Sequence, residues 1–311
     1  MARYARISTV AYPPVVPGPR WIERTRDSLA EHLKLAAQAK PDLVVFPETL
    51  NCTGLPIDEW WGMAETVPGP TFDGIAALAA EHGMYVCLPL LEQEGAHLRN
   101  TAAFIDREGK LLGKFHKYVP TIIEMDNGVL PGTEAPAFDT DFGRIGAAIC
   151  FDLNYDDVGA LLAASGARLV CFVTQSMGGE RLLHWPRDYG FYVVSSYTDR
   201  SFIVDMAGRF LGDTGEEDNQ VRAGLLPPIY STVINMDRML FHLSGNQDRF
   251  PEMLAKYGPG VESENHYPEA HCTIAAVMDA VTVEDLVAEF ELEPWVDYIN
   301  RCRGIREEHL R

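Results

Sequence analysis

The 311-residue sequence lacks the short cysteine spacings that mark disulfide frameworks and zinc sites. Its six cysteines form no C-x-x-C pair, and Cys87 and Cys171 lie inside apolar strand-like runs. Free thiols of this kind are typical of a reducing compartment. An apolar run of about 18 residues is also missing, and Pro13 and Pro14 interrupt the N-terminal segment before a signal-peptide core could form. We therefore expect a cytoplasmic protein that does not enter a membrane.

Basic charge is scarce as well. Lys and Arg total 26 against 45 Asp and Glu, so the net charge is −19, which disfavours binding to nucleic acid or anionic lipid. No glycine-rich phosphate-binding motif follows a strand, and the nine histidines are scattered without metal-ligand spacing. We expect neither a cofactor nor a bound metal, and the partners that remain are a small-molecule substrate and other copies of the chain.

What is present is an alternation of strands and helices. Apolar residues at helical spacing, such as Leu29, Leu33 and Ala36, predict a helix that precedes the buried strand of residues 43–46. Such strand–helix–strand units indicate an α/β fold, and two strands joined by a turn near residue 107 add antiparallel pairing, so we expect a mixed sheet. In sheets of this type ligands gather at the carboxyl ends of the strands.

The sequence pattern of the chain changes near residue 245. A Gly-Pro-Gly break at residues 258–260 precedes an acidic segment, and Thr282 opens a helix with a capping-box pattern. We divide the chain into a main domain, residues 1–244, and a C-terminal extension, residues 245–311. The extension carries apolar residues that should pack against another surface, and it is a candidate contact in a homo-oligomer.

The chemistry is expected around the sequence GRIGAAICFDLNY, which starts at Gly143. A buried strand there ends at Cys150, and Asn154 or Asp156 could cap a following helix. A thiol between a strand end and a helix N-terminus lies where backbone N–H groups and the helix dipole favour a thiolate. The alternative is an inert core cysteine, because free Cys is among the most buried residue types.

Two other strand ends carry reactive side chains. Glu48 follows the strand LVVF, and Lys117 follows the strand in GKLLGKFHK. Taken singly, each could be an ordinary solvated charge, and Glu124 in the irregular stretch that follows could be a loop acid. Their order along the chain, each Glu, Lys and Cys ending a short apolar strand, favours a shared site.

These local sequences resemble the nitrilase superfamily of carbon–nitrogen hydrolases. The resemblance covers roughly Tyr4 to Arg238 and includes Asn100-Thr101, Pro131-Gly132, Gly166-Ala167 and His184-Trp185. It implies a four-layer α-β-β-α sandwich with mixed sheets, and assembly of such units into a dimer or larger homo-oligomer. It also implies a catalytic Glu, Lys and Cys, here Glu48, Lys117 and Cys150.

By resemblance, Cys150 would attack the substrate carbon and Glu48 would act as the base. Lys117 and the N–H of Phe151 would stabilise the negative oxygen of the tetrahedral intermediate. Glu124 would be the second glutamate of the family, with Glu134 as the fallback.

Phe151, His184 and Trp185 are the predicted substrate-binding residues. Cys150 is followed by Phe-Asp, which favours an amidase or N-carbamoyl hydrolase over a nitrilase. The segment after Lys117 and the Asp156-Asp157 pair depart from the family pattern, so the substrate stays open. Nitrile hydrolysis or acyl transfer on the same triad, or an interaction module that has lost catalysis, remain as alternatives.

Overall fold

The first sheet contains the strands that precede Glu48 and Lys117. The computed structural model describes residues 3–215 and 228–311, so residues 1–2 and 216–227 of the predicted main domain lie outside the described part. The parallel strands at the centre of this sheet are flanked by antiparallel ones. In spatial order the strands are β12 (Ile229–Asn235), β1 (Tyr4–Val10), β2 (Leu43–Val45), β3 (Tyr85–Glu94), β4 (His97–Ile105) and β5 (Leu111–His116).

The second sheet contains the strand that ends at Cys150. Three of its strands, β7 to β9, are parallel, and their buried runs are apolar except for Ser195 and Ser196 at the end of β9, as expected for strands covered on both faces. In spatial order the strands are β11 (Phe210–Asp213), β10 (Phe202–Val204), β9 (Tyr192–Ser196), β8 (Leu169–Val173), β7 (Gly143–Ile149) and β6 (Phe138–Thr140).

Helices cover the outer faces of both sheets. Helices α1 (Trp21–Ala37) and α2 (Pro70–His82) pack on the first sheet, and α4 (Asp156–Ala164) and α5 (Arg181–Tyr189) pack on the second. The inner faces of the two sheets share one apolar core, which includes Cys87 from the first sheet and Cys171 from the second. The predicted α-β-β-α sandwich with mixed sheets is thereby confirmed.

The region after β12 builds a third, smaller sheet. Its strands, in spatial order, are β13 (Arg238–His242), β15 (His271–Ala276) and β14 (Val261–His266), and its helices are α6 (Phe250–Tyr257), α7 (Val283–Glu289) and α8 (Trp295–His309). The predicted capping box at α7 is present, because Thr282 Oγ1 accepts from the Asp285 N–H at 3.1 Å and the Asp285 carboxylate accepts from the Thr282 N–H at 2.8 Å. The domain boundary at residue 245 stays a prediction.

Two local expectations need correction. The stretch expected to be irregular after Lys117 contains a short helix, α3 (Ile122–Asp126). The predicted caps of α4, Asn154 and Asp156, do not cap it: the N-cap is Tyr155, without a side-chain hydrogen bond. The reason is a 3₁₀ turn, Cys150–Asn154, that separates β7 from α4 and in which the Asn154 side chain donates to the Phe151 carbonyl.

None of the helices in the described ranges is long and apolar enough to cross a membrane.

Candidate active site

Three strands of the first sheet, β2, β4 and β5, bring charged and amide groups to one edge. Strands β2 and β5 point the same way, so Glu48 and Lys117, which follow them, emerge at the same edge of the sheet. Strand β4 runs the opposite way, so Asn100 near its beginning lies at that edge too. Lys117 shares the face of Phe115, which is turned toward the second sheet, and its side chain is 2% exposed.

Lys117 forms two buried ion pairs. Its Nζ lies 2.8 Å from Glu48 Oε1 and 2.9 Å from Glu124 Oε2. An ammonium carries three N–H donors, so one remains for a ligand oxygen after these two bonds. The sequence prediction that Glu48, Lys117 and Glu124 share one site therefore agrees with the geometry.

Glu124 reaches Lys117 because of the short helix α3. Thr121 caps this helix, and its backbone N–H and hydroxyl both donate to Glu124 Oε2, at 2.7 and 2.8 Å. The fallback residue, Glu134, is exposed. Glu124 is thus the second carboxylate that the fold places beside the lysine.

Asn100 is a site residue whose contacts the sequence did not reveal. Its Nδ2 donates to Glu48 Oε1 and to Glu124 Oε1, both at 2.7 Å, and it is 1% exposed. The amide therefore holds the two carboxylates in fixed positions around Lys117. The resemblance contained Asn100, but no residue pattern indicated that its amide bridges two acids that are far apart in the chain.

The charges of this cluster support one another. Burial opposes the charged form of Lys117, but the carboxylates of Glu48 and Glu124 raise its pKa well above the ordinary range. Burial likewise opposes the ionised form of Glu124, but the ammonium of Lys117 and the donors of Asn100 and Thr121 lower the pKa of that carboxyl below its usual value. Lys117 is accordingly a permanent cation and a donor, which suits it to stabilise negative charge rather than to remove a proton.

Cys150 lies at the corresponding edge of the second sheet, directly after β7. Its φ of 47° is in the left-handed region, which costs a non-glycine residue about 1–2 kcal/mol. Neighbouring residues after β8 surround it: Ser176 Oγ is 4.0 Å from the Cys150 Sγ, and Gln175 Nε2 donates to the Glu48 carbonyl at 2.6 Å. Gln175 therefore joins the cysteine side of the site to the glutamate side.

The expectation that this position favours a thiolate is wrong. Burial is the largest effect on the thiol, and with the nearby Glu48 carboxylate it raises the pKa of Cys150 to about 11. The Lys117 ammonium and the donors of Thr174 and Gln175 lower it by less. The 3₁₀ turn also keeps the N-terminus of α4 from following Cys150 directly. The protein therefore holds a neutral thiol at pH 7, and forming a thiolate there requires a base.

The three predicted substrate-binding residues occupy different surroundings. Phe151 is partly exposed and packs edge-on against Tyr155, at the rim beside Cys150. Trp185 is buried in the core, where its ring contacts Tyr189 and Phe191. His184 lines a surface cavity with Trp185 and residues of α5 and the α4 N-terminus. Their roles in binding stay predictions.

One group of side chains in the described ranges has ligand atoms close enough to hold a metal ion. It consists of Glu92, Glu94 and His116, on the opposite face of the first sheet from Lys117. Lys114 Nζ already lies 2.6 Å from Glu92 Oε1, so an ammonium occupies the place that a cation would take. The group therefore offers little to a metal.

Cys150 lies close enough to Glu48 and Lys117 for their charges to act on its thiol. A sequence model of the carbon–nitrogen hydrolase family matches residues 6–227. The chain belongs to this family, and the resemblance to the nitrilase superfamily is confirmed.

Relatives by sequence include plant nitrilases. A bifunctional nitrilase/nitrile hydratase of Nicotiana tabacum is 29% identical over 201 residues, which are 57% of this chain and 56% of the relative. Nitrilase 2 of Arabidopsis thaliana is 30% identical over 201 residues, with 57% and 58% covered. The chain spans about half the length of the curated relatives that it matches.

Solved structures share the fold at low identity. Nit3 of Saccharomyces cerevisiae, from branch 10 of the nitrilase superfamily, has a TM-score of 0.63 at 19% identity and covers 75% of this chain and 90% of its own. An amidase from Nesterenkonia sp. has a TM-score of 0.63 at 18% identity, with 82% and 97% covered. These likenesses concern the fold.

Proposed function

We propose that this protein hydrolyses a non-peptide carbon–nitrogen bond, in an amide or an N-carbamoyl compound, through a thioester on Cys150. The observation that carries the proposal is the buried cluster of Glu48, Lys117 and Glu124 facing a strand-end cysteine. The solved amidase with the same fold, and the Phe-Asp pair that follows Cys150, support amides over nitriles.

The first half of the reaction forms the thioester. Glu48 takes the proton of the neutral Cys150 thiol as the sulfur attacks the carbonyl carbon. The free N–H of Lys117 and the N–H of Phe151 donate to the oxygen that becomes negative. When the tetrahedral intermediate collapses, the carbon–nitrogen bond breaks, and the proton on Glu48 passes to the leaving amine or ammonia.

The second half regenerates the enzyme. Glu48, again ionised, removes a proton from water, and the hydroxide attacks the thioester carbon. The same donors stabilise the second tetrahedral intermediate, and the carbon–sulfur bond then breaks to release the acid. The sulfur takes back the proton from Glu48, so atoms and charges balance over one cycle. Lys117 keeps its proton throughout because the Glu124 carboxylate stays ionised beside it while Glu48 carries a proton.

The test measures ammonia and acid release from separate pools of primary amides, N-carbamoyl compounds and nitriles. Wild type and Cys150→Ala are compared, with Cys302→Ala as the matched control because Cys302 is exposed on α8. We expect release from the amide or carbamoyl pool, loss of it in Cys150→Ala with circular dichroism unchanged, and full activity in Cys302→Ala. Turnover by Cys150→Ala would refute the mechanism.

Nitrile hydrolysis is the second candidate, and the plant nitrilases among the relatives support it. Cys150-dependent release from the nitrile pool alone would favour this candidate. Acyl transfer would instead appear as a hydroxamate when hydroxylamine is added. A Cys150 that reacts with iodoacetamide no faster than buried Cys87 and Cys171 would point to a non-catalytic interaction module.

We also propose that the protein is a homo-oligomer whose contact involves the C-terminal extension. None of the residues of α8 is buried in the single chain, although the helix carries Val296, Ile299 and Ile305. A chain ending at residue 293 should therefore show a lower mass in size-exclusion chromatography, or aggregate. An unchanged assembly would contradict the proposal.

We also propose that the protein is cytoplasmic. All six cysteines are unpaired, which supports a reducing compartment.

A further inference from the structure

Asp152 is a fully buried carboxylate two residues after Cys150. Its Oδ1 accepts from the Val119 N–H at 2.7 Å, and its Oδ2 accepts from the N–H groups of Ile149 at 3.0 Å and Tyr118 at 3.3 Å. In the part of the chain that the structure describes, no ion pair to Asp152 accompanies these bonds. The carboxylate is therefore held by backbone N–H groups alone.

These donors belong to two segments that carry reacting groups. Tyr118 and Val119 directly follow Lys117, whereas Ile149 directly precedes Cys150. A single carboxylate thus ties the strand end that carries the ammonium to the strand end that carries the thiol, although the two come from different sheets. The Lys117 segment is also held by strand β4, because the Lys117 backbone N–H donates to the Asn100 carbonyl at 2.8 Å.

The same bonds bear on the backbone at Cys150. The left-handed conformation of a non-glycine residue persists only where the surrounding contacts over-determine it. Asp152 supplies such a contact, since it anchors Ile149 immediately before the strained residue. An asparagine could not replace Asp152, because its amide has one acceptor oxygen, whereas the backbone donors here need an acceptor at both positions.

We propose that Asp152 is a positioning residue, whose carboxylate holds Lys117 and Cys150 at the separation that the oxyanion requires. The inference rests on the proposed function. Asp152 itself touches no reacting atom. Its effect passes through the backbone on both sides of the site, so its loss should alter the stabilisation of the transition state more than the binding of substrate.

The first test is Asp152→Asn, with Asp237→Asn as the matched control. Asp237 is 1% exposed and also accepts a backbone N–H, that of Val283 at 2.9 Å, but it lies between β12 and β13, next to the third sheet. We expect kcat to fall about 10- to 100-fold in Asp152→Asn while KM changes less than about twofold, because small displacements of reacting groups cost rates of this size. The control should keep the wild-type kcat. An unchanged kcat in folded Asp152→Asn, or equal losses in both variants, would overturn the proposal.

A pH profile of the wild type keeps the proposal falsifiable if Asp152→Asn does not fold. Burial raises the pKa of Asp152 to about 7, against the backbone donors and the Lys117 ammonium, which lower it. Below that pH the protonated carboxyl accepts more weakly, while Lys117 stays charged. With an uncharged substrate, kcat should fall as the pH drops through about 7, and this limb should be missing in Asp152→Asn. A wild-type kcat that is flat from pH 8.5 to 5.5 would overturn the proposal.

A third readout separates this inference from the proposed function. The rate of Cys150 alkylation by iodoacetamide, measured by peptide mapping, needs no substrate. Displacement of the Lys117 ammonium should slow alkylation at least threefold in Asp152→Asn and leave it unchanged in Asp237→Asn. Slower alkylation without Cys150-dependent turnover would refute the proposed function alone. Turnover with equal alkylation and kcat in wild type and Asp152→Asn would refute the positioning role alone.

Discussion

Strand β5 and the residue after it carry two lysines that face opposite sides of the first sheet, and each pairs with two glutamates. Lys117 contacts Glu48 and Glu124 between the sheets, where its side chain is 2% exposed. Lys114 Nζ lies 2.6 Å from Glu92 and 3.7 Å from Glu94 on the outer face, where its side chain is 24% exposed. Both clusters place one ammonium beside two carboxylates, but in the outer one Arg99 also pairs with Glu94 at 3.0 Å.

The difference that matters between the clusters is how far each lysine is exposed to water. Glu92 is buried, but Lys114 is 24% and Glu94 40% exposed, so water and salt screen the charge of this lysine and its pairs contribute little. The Lys117 cluster has lost its water, so each charge depends on the others and their positions are fixed by Asn100 and Thr121. Only the buried cluster provides preorganised charge of the kind that stabilises an oxyanion.

The largest expected effect comes from Lys117→Met. We expect turnover to fall by more than about 10²-fold, as for the loss of an oxyanion donor. The free energy of unfolding should fall by about 3–5 kcal/mol, because two buried carboxylates lose their cation. Lys114→Met is the control, with unchanged turnover and a loss of about 1 kcal/mol or less. Urea denaturation and product release measure both, and similar losses for the two lysines would contradict the comparison.

Glu48→Gln should abolish the proton transfer while keeping the shape of the side chain. The expected loss is about 10²–10⁴-fold in kcat, the usual contribution of a general base. Glu92→Gln removes a carboxylate of similar burial from the outer cluster and should leave kcat unchanged. Steady-state kinetics on the responding substrate pool decide the matter, and a Glu48→Gln enzyme with wild-type kcat would exclude Glu48 as the base.

The last prediction concerns the pH dependence of alkylation, which does not depend on turnover. Because the pKa of Cys150 is raised to about 11, the thiolate fraction grows about tenfold for each pH unit below that value. The rate of alkylation of Cys150 by iodoacetamide should therefore climb steadily from pH 7 to 10, as followed by mass spectrometry. A plateau already reached at pH 7 would indicate a thiolate in the free enzyme and would contradict the role of burial and Glu48.

Much of this arrangement could be predicted from the sequence because strand ends can be recognised locally. Glu48, Lys117 and Cys150 each follow a short apolar run. The first sheet brings the ends at Glu48 and Lys117 together, and the second sheet supplies Cys150. The contacts of Asn100 could not be predicted, since they depend on the side chains of two distant segments. The raised pKa of Cys150 was also out of reach, because it depends on burial and on the distance to Glu48, neither of which is written in the local sequence.

The cap of α4 shows the same limit on a smaller scale. Asn154 and Asp156 both have side chains suited to capping, but the 3₁₀ turn after Cys150 shifts the helix start and leaves Tyr155 at the N-cap. The capping preferences of these residues correctly predicted a helix after Cys150, but they gave the wrong N-cap residue for α4. The buried hydrogen bonds of Asp152 to the N–H groups of Ile149 and Val119 fix that turn and override the local capping preference.

The pairing of β1 with β12 has a consequence for synthesis of the chain. Tyr4 lies opposite Asn235, so β1 is synthesised more than 200 residues before the strand that pairs with it. Every proposed catalytic residue is already translated by then, while one edge of β1 still lacks its neighbour. Contacts of such long sequence separation slow folding, and an unpaired edge can recruit foreign strands. The nascent chain therefore carries a complete set of reacting groups on an unfinished sheet, and this interval is when we expect chaperones to bind it.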